Sequence, residues 1–225
     1  MSTPEDLPDT FPENAVFILG AGRFGGRAAR ILSPRGRSAI WLIDKDEDSL
    51  SRHRDLPVSG ICRDGVEFLS ERISSLSPEL LLVPSIPAHV AFEWLRRSLG
   101  GIQREEIPEA LKRLLPNTWE GSEGSLLVSY ADFLCPDDCP EPADHCTVTG
   151  KKRSTPLYKR LAEMHAPDRR VHILRSRQLA PGVGGYRVHD LLDLAEEVRL
   201  HPNDKWLLGT ACRCHGILTA FQMAC

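Results

Sequence analysis

The chain has 225 residues, 41% of them hydrophobic and 26% charged, with a formal net charge of −3 at pH 7. That length allows one large domain or two small ones around a substantial core. The near balance of charge gives no footprint for nucleic acid or an anionic surface, and no apolar run approaches the roughly 20 residues that span a bilayer. Residues 1–12 are acidic and proline-rich and lack an apolar signal core, so they are expected as a flexible tail on a cytoplasmic protein.

The first predicted strand is the apolar run Ala15 to Leu19. It leads into Gly20-Ala21-Gly22-Arg23-Phe24-Gly25, behind which Arg27 to Leu32 opens a helix. A second apolar run, Ala39 to Ile43, ends in Asp44. Strand, glycine turn, helix, strand and acid is the order that holds a dinucleotide. Gly20 permits the tight turn, Gly22 lets the backbone approach a pyrophosphate, and Gly25 lets helix and strand pack closely. The helix N-terminus offers free N–H groups and partial positive charge to the phosphates, and the carboxylate of Asp44 suits the adenosine ribose hydroxyls. The carboxylate would repel a 2′-phosphate, which favours NAD over NADP.

The stretch Phe17 to Gly25, followed by Leu42-Ile43-Asp44-Lys45-Asp46, resembles the NAD-binding domain of the TrkA family, the regulator-of-potassium-conductance type. The resemblance covers residues 14 to 70. It implies a nucleotide-binding Rossmann domain in which Gly20, Gly22 and Gly25 line the pyrophosphate and Asp44 the ribose. The chain departs from that family at Gly60-Ile61-Cys62-Arg63-Asp64, where the family carries a Gly-Asp pair.

Further predicted elements follow in alternation: a strand at Val58 to Cys62, a helix at Gly65 to Ser74, a strand at Leu80 to Val83 and a helix at Ala88 to Leu99. Residues 102–125 read as a connector with a short helix from Pro108 to Leu115. Ser125 to Leu134 reads as a strand, Cys135 to Gly150 as an irregular loop, and Pro156 to His165 as a helix. Val171 to Leu174 is a strand, Gln178 to Tyr186 a glycine-rich turn, Val188 to Leu200 an amphipathic helix and Trp206 to Gly209 a strand. Gly216 to Met223 closes the chain as a helix. The fold class is α/β: a doubly wound, mostly parallel Rossmann-like sheet over residues 13–100, with a cysteine-rich α/β half over 125–225 packed on it.

Seven cysteines are many for a chain of this size, and the odd number excludes a complete disulfide framework. Cys62 and Cys225 are isolated, whereas Cys135, Cys139 and Cys146 share one loop and Cys212 and Cys214 form a second pair. Each group follows a predicted strand, and in a parallel sheet such loops gather at one edge, so both can meet beside the glycine turn and Ser85; Ser85, Arg23 and Phe24 join the three glycines and Asp44 as expected cofactor contacts. Four thiolates from two loops suit an iron–sulfur cluster or a tetrahedral zinc. Proline directly after Cys135 and Cys139, and the three-residue spacing between them, lean toward a cluster, [4Fe–4S] ahead of [2Fe–2S]. Without a metal the same thiols would be buried small hydrophobes or redox-active groups.

Other candidates for chemistry are His89, as an acid or substrate anchor at a helix start, and Arg175 and Arg177, which can grip a phosphate or carboxylate bidentately beside Gly182, Gly184 and Gly185. For His89 a helix-start residue with no task is the competing reading; for the arginine loop it is an ordinary αβ connector. Lys151-Lys152-Arg153, His145 and His215 read as solvated loop residues. The expected function is an NAD-binding redox protein or oxidoreductase carrying a cysteine-ligated cluster. Its alternatives are a non-enzymatic NAD or redox sensor and a zinc-fastened Rossmann protein. Expected partners are a dinucleotide and an anionic small molecule or redox protein, with a homodimer compatible and nucleic acid and membrane insertion excluded.

Overall fold

The computed structural model describes residue 8 and residues 10–35, 39–153 and 155–224. Residues 1–7 and 9 of the expected tail, and Cys225, lie outside the described residues. Phe11, at the end of that tail segment, is buried against Phe17, Trp41 and Phe68 in edge-to-face contacts.

The first sheet opens with β1 (Val16–Leu19), α1 (Arg23–Leu32), β2 (Ile40–Asp44), α2 (Glu47–Ser51), β3 (Ser59–Cys62), α3 (Gly65–Arg72), β4 (Leu81–Pro84) and α4 (Val90–Leu99). The chain continues with β5 (Ile102–Glu105), α5 (Glu109–Lys112), β6 (Asn117–Glu120), β7 (Leu126–Ser129), α6 (Leu157–Ala162) and β8 (Arg170–Arg175). It ends with β9 (Arg177–Ala180), β10 (Val183–Arg187), α7 (Val188–Leu200), β11 (Lys205–Ala211) and β12 (His215–Met223). Strands β3-β2-β1-β4 run parallel, and β10 and β9 extend the sheet antiparallel from β4. The second sheet has the order β6-β7-β12-β11-β8, with β5 also on β12; its only parallel pair among the described residues is β8 with β11.

The molecule is therefore α/β with a Rossmann-like parallel sheet in its first half, as expected. Each residue of β1 is buried, because alternate side chains face two cores. Val16 and Ile18 pack with Ala28, Ala29 and Leu32 of α1. Phe17 and Leu19 face a larger core that takes in Trp94 of α4, Leu191 and Val198 of α7, and Trp206 and Phe221 of the second sheet. Helices α4 and α7 thus lie between the two sheets. A third cluster joins Leu111, Leu157 and Leu161 to the outer face of the second sheet at Leu126, Leu207 and Leu218.

Three expectations are corrected. The connector 102–125 holds two strands, β5 and β6, whose partners are remote in sequence. The segment Gln178 to Tyr186 is a hairpin, β9 and β10, turned at Pro181-Gly182; Gly182 has φ +68°, a conformation glycine adopts without steric cost. Gly216 to Met223 is the strand β12, not a helix. It is central in its sheet, so burial on both sides erased the alternation that marks a half-exposed strand.

Candidate functional site

Directions of travel decide where the cysteines meet. β7 is antiparallel to β12, and β12 to β11, so β7 and β11 point the same way and release their following loops at one edge. The loop after β7 carries Cys135, Cys139 and Cys146; the turn after β11 carries Cys212 and Cys214. All five line one cavity of about 1110 Å³. Phe24, next to the glycine turn, and Ile86 to Ala88, after β4, line the same cavity.

The hairpin turn at Pro181-Gly182 locks the cysteine loop to α1. Both terminal nitrogens of Arg27 donate to the Pro181 carbonyl at 3.1 Å. The Gly182 N–H donates to the Cys139 carbonyl at 3.0 Å, and the Gln178 amide to the same oxygen at 2.8 Å. Arg23 pairs with Asp137 on the cysteine loop.

At the glycine turn the first helical N–H to find a backbone acceptor is that of Gly26, which donates to Gly22, so the preceding donors face outward. The space over Gly22 is open, with no atom within 4 Å of where a Cβ would stand. Asp44 stiffens the turn: its carboxylate accepts the N–H of Ala21 at 2.6 Å and that of Asp46 at 2.9 Å. The buried His53 imidazole adds a contact to the Ala21 carbonyl at 2.9 Å. Ser85 is bound through its N–H to the Leu19 carbonyl and does not line the cavity.

The thiols have different environments. Cys212 Sγ accepts the N–H groups of Cys214 and His215, both at 3.4 Å, and lies 3.8 Å from His215 Nδ1. Burial first, and then the Glu141 carboxylate, push its pKa up to about 12. Burial also raises Cys214, against the opposing charge of Arg153, whose guanidinium donates to that sulfur. Burial and the neighbouring thiols of Cys139 and Cys146 raise Cys135. Cys146 is brought down to about 7, chiefly by a hydrogen bond from Thr149. Among the described residues, no three His, Cys, Asp or Glu side chains stand together as a metal-binding group; the thiols share a cavity wall.

The remaining candidates separate. His89 is buried and faces the second sheet, with Nδ1 at 2.8 Å from Thr219 Oγ1 and Nε2 at 3.1 Å from Thr210 Oγ1. Both ring nitrogens are thereby occupied, and the residue fastens the start of α4 to the β11–β12 pair. Arg177 is ion-paired to Asp190 at 3.1 Å. His145 pairs with Asp144, and burial lowers the pKa of His215, against the raising charge of Glu141. Two residues here escaped sequence reasoning. Glu141 has a positive φ of 47° and accepts the Arg213 N–H at 2.7 Å, tying the two cysteine segments together. Arg153 lay in a basic triplet that carries no pattern of its own.

Comparison with known proteins overturns the resemblance to the TrkA family. A protein from Archaeoglobus fulgidus, described as "Uncharacterized protein", is 34% identical over 220 residues, covering 92% of this chain and 99% of its own length. A solved structure described as "a putative methyltransferase from Thermoplasma acidophilum" shares 13% identity at a TM-score of 0.31, over 60% of this chain and 63% of that one; at that distance it carries no argument. A family model described as "Uncharacterized protein, C-terminal domain" matches residues 91–224, which include every cysteine of the cavity. The chain belongs to that family.

Proposed function

We propose that the chain is a dinucleotide-binding redox protein, with NAD as the favoured dinucleotide, whose cavity thiols hold a metal centre. The observation that carries this reading is the single cavity shared by five cysteines, Phe24 and the β4 loop. The donors around the glycine turn fit a pyrophosphate: the approach over Gly22 is open and the outward N–H groups of α1 are unspent. Asp44 keeps lone pairs beyond its two backbone bonds for a ribose.

The thiols are the donor type that a soft metal takes, and binding would draw them together from the shared cavity wall. Two backbone N–H groups already aim at Cys212 Sγ, the arrangement that stabilises a metal-bound thiolate. With no cation present, burial keeps Cys212 and Cys214 protonated; a cation would take the place of the protons. An iron–sulfur cluster would supply a one-electron carrier. Arg153 and Glu141 would balance charge at Cys214 and hold the Cys212 turn in register.

Protein purified without oxygen is expected to contain iron and acid-labile sulfide and to absorb visible light, with at least half of the metal lost in Cys212→Ser. Zinc without sulfide would replace the cluster by a structural zinc. Protein without metal after anaerobic isolation would end the metal reading. Separately, Asp44→Ala is expected to weaken NAD binding at least tenfold in a titration and to narrow the preference for NAD over NADP. Unchanged affinity would remove the dinucleotide from this turn.

A further inference from the structure

A second pocket, of about 310 Å³, adjoins the thiol cavity and shares Glu141, Ser176, Gln178 and Arg213 with it. Three arginines line it: Arg175 at the end of β8, Arg177 at the start of β9, and Arg213 between the two cysteines of the β11–β12 turn. The fold brings them together because β8 and β11 are parallel neighbours, and Ser176 N–H is bound to the Ala211 carbonyl at 2.9 Å.

The charges are unevenly satisfied. Arg177 is spent on Asp190. The guanidinium groups of Arg175 and Arg213 have no carboxylate within 4 Å among the described residues. Arg175 Cζ sits over the Tyr158 ring, 4.5 Å from its centroid, a cation–π contact that holds the guanidinium at the pocket without spending its N–H groups on a carboxylate. Glu141, the one carboxylate lining the pocket, is already engaged by the Arg213 N–H. Two guanidinium groups without a carboxylate partner, one of them held by an aromatic ring, outnumber the single Glu141 carboxylate in a concave site and suit an oxyanion.

We propose that this pocket binds the oxyanion head, phosphate or carboxylate, of a small molecule whose remainder extends into the thiol cavity. The site needs neither nucleotide nor metal, so it stands or falls independently of the redox reading. Calorimetric titration of the full chain in chloride-free buffer at low ionic strength, with inorganic phosphate and separately with malonate, tests it. Saturable binding of either anion is expected, and the tighter one names the head group. Arg175→Ala and Arg213→Ala are each expected to weaken that binding at least tenfold, and Arg199→Ala, on the exposed end of α7, to leave it unchanged. Arg175→Gln, which keeps most of the stem over Tyr158, replaces the alanine variant if that does not fold. Absence of binding by both anions, or wild-type affinity in the Arg175 and Arg213 variants, would overturn the proposal; in the second case the anion sits elsewhere, such as at the glycine turn.

Discussion

Gly25→Ala is expected to cost about 3 kcal/mol or more of folding stability, read as a shift of the urea midpoint at constant slope. A Cβ on Gly25 would collide with the carbonyl carbon and oxygen of Gly20, which are backbone and cannot rotate away. Relief requires α1 to lift off β1. That would open the core formed by Ile18, Ala28, Ala29 and Leu32. Gly22→Ala is the matched control. Nothing stands within 4 Å of its Cβ position, and its φ of −69° suits any residue, so it should stay within about 1 kcal/mol of wild type. The same variant should lose NAD binding at least tenfold, because the methyl would occupy the space a pyrophosphate needs. Equal stability losses in the two variants would show that the turn is shaped by packing alone.

The second large effect is acid sensitivity centred on His89. Burial, with the charge of Arg104 as a smaller cause, holds its pKa down at about 3, against 6.5 in the unfolded chain. Between those values the unfolded chain takes up a proton that the folded chain refuses. Stability therefore rises with pH through this window and is lost as pH falls below 6.5, by up to about 1.4 kcal/mol per pH unit from this group. His89→Gln removes the titration. At pH 7.5 it should be destabilised by about 2 kcal/mol, because the Thr219 hydroxyl is left buried with a poorer partner. The gap between variant and wild type should shrink as pH is lowered to 4.5. A gap that stays constant over pH 7.5 to 4.5 would mean that His89 already accepts a proton in the folded state.

Legibility of the sequence followed a physical pattern. The β1–α1–β2 unit was readable because the glycine spacing, the flanking apolar runs and Asp44 are all local and mutually consistent. Helix α7 was readable to the residue because one face meets a core and the other meets water. β12 was not, since a strand covered on both sides has no period to distinguish it from a buried helix segment. β5 and β6 were hidden because their ladder partners lie far along the chain. The convergence of the cysteine loops was expected on the premise of a parallel sheet; it arises instead in a largely antiparallel one, where two antiparallel steps leave β7 and β11 pointing the same way. What no pattern disclosed were the groups that connect by tertiary contact alone: Glu141 on the Arg213 backbone, Arg153 on the Cys214 sulfur, and His89 between two threonines.

The hairpin β9–β10 returns to the first sheet only after the chain has laid down four strands of the second. β4 therefore finds its outer neighbour about a hundred residues downstream, across Leu82 and Tyr186. The nucleotide-type unit is consequently no portable cassette. Excised at its apparent end it would expose the bare flank of β4, a ready template for aggregation. Duplication or shuffling of the gene could preserve this architecture only by carrying both halves together, so the thiol cavity and the glycine turn are inherited as one piece.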